Sequence, residues 1–220
     1  MRLRYATKMS DPKPARIYLV ATSTHPDDKA LALELLAGQP GAANKLWHKY
    51  EPMVRRMLAR TMGPDRDIDD LTQDVFLTFF DKLPGLRKPE SLRSFLISVT
   101  TFTIRAELRK RWVRRIMRLT SDGQLPERVE EGPDRDEREA LCRFYRILDG
   151  LGADDRTAFA LRFVEGLELL EVAEAMKISL ATLKRRLGPI HDRVVAQVKM
   201  DPLLAAYIPS LATGDGGGPS

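Results

Sequence analysis

Between residues 67 and 83 hydrophobic positions recur with a helical period. Ile68, Leu71, Val75, Phe76, Phe79, Phe80 and Leu83 fall at three- and four-residue spacing, which predicts an amphipathic helix from Asp67 to Leu83 with one buried stripe. The opposite side carries Asp69, Asp70, Gln73 and Asp74. A solvated helix face ordinarily mixes both charge signs, whereas this one is acidic for two turns. Short carboxylates on a rigid helix suit arginines on a partner helix.

The same period continues on either side. Pro26-Asp-Asp28 opens a helix through Leu31, Leu33, Leu35 and Leu36 that ends near Gly38, and Gly38-Gln-Pro-Gly41 forms a turn. A second helix runs from about Ala42 to Arg60 on an inner face of Leu46, Tyr50, Val54, Met57 and Leu58. Pro52 falls inside it and predicts a kink or break near Tyr50. After the loop from Pro84 to Pro89, a long helix runs from near Glu90 to about Arg118.

Residues 120–138 change character: large apolar side chains thin out, acidic ones dominate, and Gly-Pro breaks interrupt any period. Periodicity resumes near Asp136 and lasts to about Val198. No strand pattern occurs between residues 26 and 200. The expected fold is all-α: two small helical domains joined by a flexible acidic linker, the second a helix-turn-helix domain. The expected boundaries are a flexible arm at 1–24, a first domain at 25–118, the linker at 119–138, a second domain at 139–200 and a disordered tail at 201–220.

The helix-turn-helix reading rests on residues 167–187. A first helix at about Leu169–Met176 buries Val172, Ala173 and Met176, and small Ala173 permits close approach of a second helix. Lys177-Ile-Ser179 makes the turn, with Ser179 as N-cap. The second helix buries Leu183 and Leu187 and exposes Ala181, Thr182, Lys184 and Arg185 near its start, where a recognition helix meets base edges and phosphates. Gly188-Pro189 predicts that this helix ends or kinks after Leu187.

Composition adds limits. The chain of 220 residues is 43% hydrophobic and 30% charged, enough to build cores, and its 7% aromatic content favours small helical modules over a large sheet. One cysteine, Cys142, excludes an internal disulfide and fits a reducing, intracellular setting. His25, His48 and His191 lack neighbours at metal-ligand spacing, so no metal is expected. The apolar run Ile17–Ala21 is too short for a signal core or a membrane span, and a cytoplasmic protein without membrane insertion is expected. No nucleophile, general base and orienting group occur together and no glycine loop cradles phosphate, so neither catalysis nor a cofactor is expected.

The net charge of +5 matters through its distribution. Arg105, Arg109, Lys110, Arg111, Arg114, Arg115 and Arg118 crowd the end of the long helix, opposed only by Glu107. Leu108, Trp112 and Ile116 keep helical spacing, so the segment can dock with its cations outward. Arginine forks match phosphate geometry, and neutralised phosphates release counterions. Density of charge alone does not separate DNA from RNA.

Together these residues resemble the extracytoplasmic-function group of the sigma-70 family over most of residues 27–198. Asp69-Asp-Leu-Thr-Gln-Asp-Val-Phe76 is similar to the family's Glu-Asp-Leu-x-Gln-Glu-x-Phe signature, which docks on the clamp helices of the largest polymerase subunit. The resemblance gives Asp69, Asp70, Gln73 and Asp74 as polymerase contacts. Phe95–Val99 and Leu108–Arg111 are similar to the family's −10 promoter-binding stretch, with Arg105, Arg109, Lys110 and Arg111 as DNA contacts. The loop from Pro84 to Ser91 would hold a flipped, unpaired base. Arg162–Leu167, Glu171–Glu174 and Thr182–Leu187 are similar to the −35-reading domain, with Thr182, Lys184, Arg185 and Arg186 as contacts. Phe102 stands where the family usually has Asn, and it either stacks on a base or joins the core. Ala106 replaces a usual Asp or Asn, and Gly188-Pro189 replaces a pair that extends the −35 contacts.

The resemblance implies an alternative sigma factor whose partners are core RNA polymerase, through its clamp helices and flap, and promoter DNA. It also allows an anti-sigma factor covering the same surfaces, which no residue pattern here specifies. Two other readings stay open: a polymerase-binding regulator with degenerate promoter reading, and a helix-turn-helix transcription regulator independent of polymerase.

Overall fold

The computed structural model describes residues 26–63, 68–119 and 135–207. The expected N-terminal arm, most of the linker and the tail beyond Tyr207 lie outside the described residues. Those described are helical and contain no strand. The helices are α1 (Pro26–Leu36), α2 (Ala42–Met62), α3 (Ile68–Lys82), α4 (Leu92–Leu119), α5 (Arg135–Asp149), α6 (Ala153–Phe159), α7 (Leu169–Met176), α8 (Leu180–Met200) and α9 (Pro202–Tyr207). Short 3-10 turns at Leu83–Gly85 and Pro89–Ser91 connect α3 to α4, and a π-helical turn at Ala160–Val164 follows α6.

The first module, α1 to α4, closes on the predicted faces. Leu46, Tyr50, Val54 and Leu58 of α2 meet Val75, Phe76 and Phe79 of α3 in one core with Leu92, Leu96, Ile104 and Leu108 of α4. Ile68, Leu71 and Phe80 pack at its edge. Phe79 is fully buried between the rings of Phe80 and Phe95. Burying one such ring stabilises a fold by about 1.5–3 kcal/mol. Of the predicted α1 residues, Leu31 and Leu35 are buried, whereas Leu33 and Leu36 are exposed. Pro52 does not break α2, which continues from Ala42 to Met62. Its neighbours Tyr50 and Val54 are buried, and their packing holds the helix through the missing hydrogen bond.

The second module, α5 to α9, carries a helix-turn-helix in α7 and α8. Glu168 and Glu171 form a reciprocal capping box at the start of α7. Lys177 takes a left-handed conformation (φ 56°) that ends α7, and the Ser179 hydroxyl accepts from the Thr182 amide to start α8. The recognition helix does not end at Gly188-Pro189, as expected from sequence, but runs unbroken to Met200. Leu183, Leu187, Ile190, Val194, Val195 and Val198 stay buried along it. The proline penalty of about 3 kcal/mol is smaller than the burial of that whole stripe.

Two further boundaries differ from expectation. Helix α5 starts at Arg135, inside the stretch assigned to the linker. Residues 202–207 form α9 where a disordered tail was expected. Asp201 accepts from the amides of Leu203 and Leu204 and pairs with Arg143, and Leu204 is buried against the core of α5 and α8.

The modules also pack on one another. Met57 of α2 and Ile97 of α4 belong to the same buried cluster as Ala158, Leu161, Leu167, Val172, Ala173, Met176, Leu183 and Leu187. Helix α7 lies against α4.

Candidate protein-docking and nucleic-acid interfaces

The buried stripe of α3 fixes which way its acidic row faces. Val75, Phe76 and Phe79 are buried, so Asp69, Asp70, Gln73 and Asp74 project outward and all are exposed. Asp69 pairs with Arg55 of α2, which also holds Glu51. Among the described residues, Asp70, Gln73 and Asp74 have no side-chain partner. Leu77 follows on the same face, also exposed. An anionic row with a leucine at its end suits a partner surface that is basic with an apolar centre.

The cationic end of α4 is divided. Arg111 and Arg114 turn back onto Glu107 of their own helix, and Lys110 lies 4.0 Å from it. Arg105 and Arg109 reach across to the second module. Arg105 grips Asp154 with two parallel bonds, from Nε to Oδ1 at 2.8 Å and from Nη2 to Oδ2 at 3.0 Å. Arg109 Nη2 donates to the same carboxylate at 3.0 Å. The Arg105 guanidinium, against the opposing effect of burial, holds the Asp154 carboxyl below its ordinary range. Arg105, 22% exposed, is thus turned toward α6, whereas Arg109, at 56%, keeps the outward position that the spacing of α4 suggests. Nor is Trp112 an inner position: it is 56% exposed and lines an open cleft of 330 Å³ with Arg109, Gly152, Ala153, Asp154 and Asp155. The side chains of Arg115, Ile116 and Arg118 lie outside the described residues.

Phe102, left open between a base-stacking and a core role, is 54% exposed. Lys82 at the end of α3 sits over its ring, 4.2 Å from the centroid. The ring is thus a surface aromatic with a cation on one face. In the loop between α3 and α4, Leu83 and Leu86 are buried and pin the loop to the core.

On α8, Ala181 and Arg185 are exposed, while Thr182 and Lys184 are half-buried. The Thr182 hydroxyl bonds with that of Ser179 at 2.8 Å. Arg186 faces the first turn of α6, 3.7 Å from Asp154 and 3.6 Å from Asp155.

Sequence reasoning missed the acids that bridge the modules. Glu165, whose side chain is 3% exposed, takes Arg56 at 2.7 Å and Arg60 at 3.0 Å. Glu171 takes Arg93 at 2.5 Å. Arg156, almost fully buried on α6, pairs with Asp149 and donates to the carbonyls of Thr61 and Met62. The one sequence signal was Asp154-Asp155 after Gly152, which reads as a favourable first helical turn and nothing more. No group of potential metal ligands occurs among the described residues, and no described helix is long and apolar enough to cross a membrane.

A buried-stripe helix with an acidic outer row, a basic helix beside it and a helix-turn-helix define a bipartite, all-helical transcription protein. Two family models match it: Sigma-70 region 2 over residues 46–114 and Sigma-70 region 4 over residues 143–188, together just over half of the chain. The chain belongs to the sigma-70 family, in its extracytoplasmic-function group. The probable RNA polymerase sigma-C factor of Mycobacterium bovis is 28% identical over 187 residues, which is 83% of this chain and 98% of that protein. The ferric citrate uptake sigma factor FecI of Escherichia coli is 28% identical over 144 residues, 64% of this chain and 81% of that protein. Among solved structures, CnrH in complex with the cytosolic domain of CnrY matches with a TM-score of 0.56 at 20% identity, covering 79% of this chain and 98% of that one.

Proposed function

We propose that this chain is an alternative sigma factor that docks on core RNA polymerase through Asp69, Asp70, Gln73 and Asp74 of α3. Arg105, Arg109, Lys110 and Arg111 of α4 then engage the −10 promoter element, and Thr182, Lys184, Arg185 and Arg186 of α8 the −35 element. The work is binding and promoter opening rather than catalysis, carried out in the cytoplasm where polymerase resides. An anti-sigma partner would cover these same faces; the solved neighbour CnrH is in complex with the cytosolic domain of CnrY.

The observation that carries this reading is the outward acidic row of α3, in which Asp70, Gln73 and Asp74 make no bond to their own chain among the described residues. Asp69 and Asp70 favour the first turn of α3, but Gln73 and Asp74 extend the row past that turn, where it adds nothing to the helix's own stability. The row gains a partner when opposed by arginines. The unbroken α8 supports the −35 assignment over degenerate reading, since Pro189 leaves the start of the recognition helix in place.

The test is co-elution of the purified chain with core polymerase. Wild-type protein is expected to co-elute, and the double variant Asp70→Lys/Asp74→Lys to lose most of that binding while keeping its helical circular dichroism. Equal binding by both proteins would refute the docking face.

A further inference from the structure

Glu107 is the one acid between Arg105 and Arg118, and three cations of its own helix gather on it. Arg111 Nε donates to Glu107 Oε1 at 3.2 Å, Arg114 Nη2 donates to the same oxygen at 2.7 Å, and Lys110 Nζ lies 4.0 Å from Oε2. We propose that Glu107 is a positioning residue for DNA binding, which holds Arg111 and Arg114 side by side as one preformed phosphate grip and so brings Arg114 into contact with the DNA backbone. The inference rests on the assignment of α4 to promoter DNA and adds how its cations are aimed.

Residues 107, 110, 111 and 114 recur at three- and four-residue spacing and share one face of α4. The side chains of Lys110 and Arg114 are 72% and 60% exposed, whereas the Glu107 side chain at their root is 16% exposed. Glu107 and Arg114 are seven positions apart, about 10.5 Å along the helix axis. To reach Glu107, Arg114 lies back along the helix past Arg111 instead of standing out into water. Its Nε donates to the Lys110 carbonyl at 3.4 Å, which holds it in the same direction. These bonds all lie within α4, so the arrangement does not depend on the second module.

The charges favour aiming over quenching. Three cations on one carboxylate, three minus one, leave this face with two positive charges in excess. A polyanion is therefore still attracted to it. Without the acid, Lys110 and Arg114 stand four residues apart as like charges, and such pairs repel.

Long cationic side chains are costly to order, and a phosphate that binds two loose arginines must immobilise both. A carboxylate at their root does that ordering before DNA arrives. It does so without using up the guanidinium of Arg114, which carries five donors in a planar fork and meets Glu107 through Nη2. The remaining donors of that fork match the oxygens of a phosphate.

Aiming and net charge predict opposite signs for one substitution. Glu107→Ala adds a positive charge, so charge alone predicts tighter DNA binding and a steeper salt dependence. The experiment compares full-length wild type, Glu107→Ala, Glu107→Gln, Arg111→Ala/Arg114→Ala and the triple variant, with circular dichroism to confirm that each is folded. Phosphate contacts carry no sequence information, so a labelled random-sequence duplex serves as the probe, followed by fluorescence anisotropy across a salt series. Glu107→Ala is expected to weaken binding by about three-fold and to lower the salt slope by about one phosphate contact. Glu107→Gln, whose amide oxygen still accepts from both arginines, should fall between it and wild type, and it carries the test if Glu107→Ala loses helix. Removing the two arginines should cost clearly more affinity in wild type than in the Glu107→Ala background. Unchanged or tighter binding by Glu107→Ala overturns the proposal, and so does an equal cost of the arginines in both backgrounds. If the arginine variant binds like wild type, the end of α4 does not touch DNA and the proposal falls with that assignment. Failure of the sigma reading is seen separately, as a wild-type protein that does not bind core polymerase.

Discussion

The Arg156 guanidinium of α6 donates to the Met62 carbonyl at 2.9 Å, so a side chain of the second module caps the last turn of a first-module helix. It donates at the same time to Thr61 at 3.0 Å, and Tyr145 adds a bond from its hydroxyl to the Arg60 carbonyl at 2.9 Å. The last carbonyls of a helix have no partner within it and need one elsewhere when buried. The end of α2 is therefore finished by residues that lie more than eighty positions away in sequence.

Replacing Arg156 by alanine removes these donors and its ion pair with Asp149. Leaving buried carbonyls without a donor costs about 1–3 kcal/mol, and the pair with Asp149, 36% exposed on the acid's side, adds little. We expect Arg156→Ala to lower the unfolding free energy, read from chemical denaturation, by about that amount, and Tyr145→Phe to lower it by about 1 kcal/mol. A midpoint unchanged in Arg156→Ala would show that the modules do not rely on each other for stability.

Pro189 lies inside α8 and withholds one backbone donor. Its side chain is exposed and its burial contributes nothing to the core. Pro189→Ala should restore the hydrogen bond and stabilise the protein, by at most about 3 kcal/mol, without altering the start of the recognition helix. Thermal unfolding checks the gain. A destabilised variant would mean that the path of α8 depends on the proline.

Replacing Lys184 and Arg185 by alanine should weaken duplex binding and reduce the dependence of its logarithm on the logarithm of salt by up to about two phosphate contacts. Titration of binding against salt concentration reads this directly. An unaltered slope would make the exposed start of α8 a structural surface.

The sign of the pH dependence follows from Asp154. Its bonds to Arg105 hold its carboxyl below the ordinary range in the folded protein. A carboxylate shifted downward stabilises the closed interface above its unfolded pKa, and that stabilisation is lost as pH falls through the folded value. The groups that face it are Arg105, Arg109 and Arg186, and Asp155 is the other acid at the contact. Thermal stability should therefore keep this contribution between pH 7 and pH 5 and lose it only below pH of about 4. A loss already complete at a pH of about 6 would assign the contribution to a histidine instead.

Much of this was legible from spacing. Six apolar positions of α3, with Leu83 in the turn that follows, fixed both its buried side and, by elimination, its acidic face. Ser179 and the small Ala173 gave the turn and the packing of the helix-turn-helix. What was not legible depends on distance in sequence. Arg105 and Asp154 are 49 residues apart, and no local pattern says that this one cation of α4 turns in to meet it. Trp112 shows the same failure, because helical spacing marks a stripe and not where the core ends. Pro189 misled for the opposite reason: a local penalty was outweighed by burial of Leu187, Ile190 and Val194 around it.

Run-off transcription on genomic DNA fragments, with purified core polymerase and the full chain, tests the central claim most directly. The account predicts new discrete transcripts with wild-type protein and none with Asp70→Lys/Asp74→Lys. Transcripts that are absent with wild type, or that persist unchanged in the variant, would contradict it.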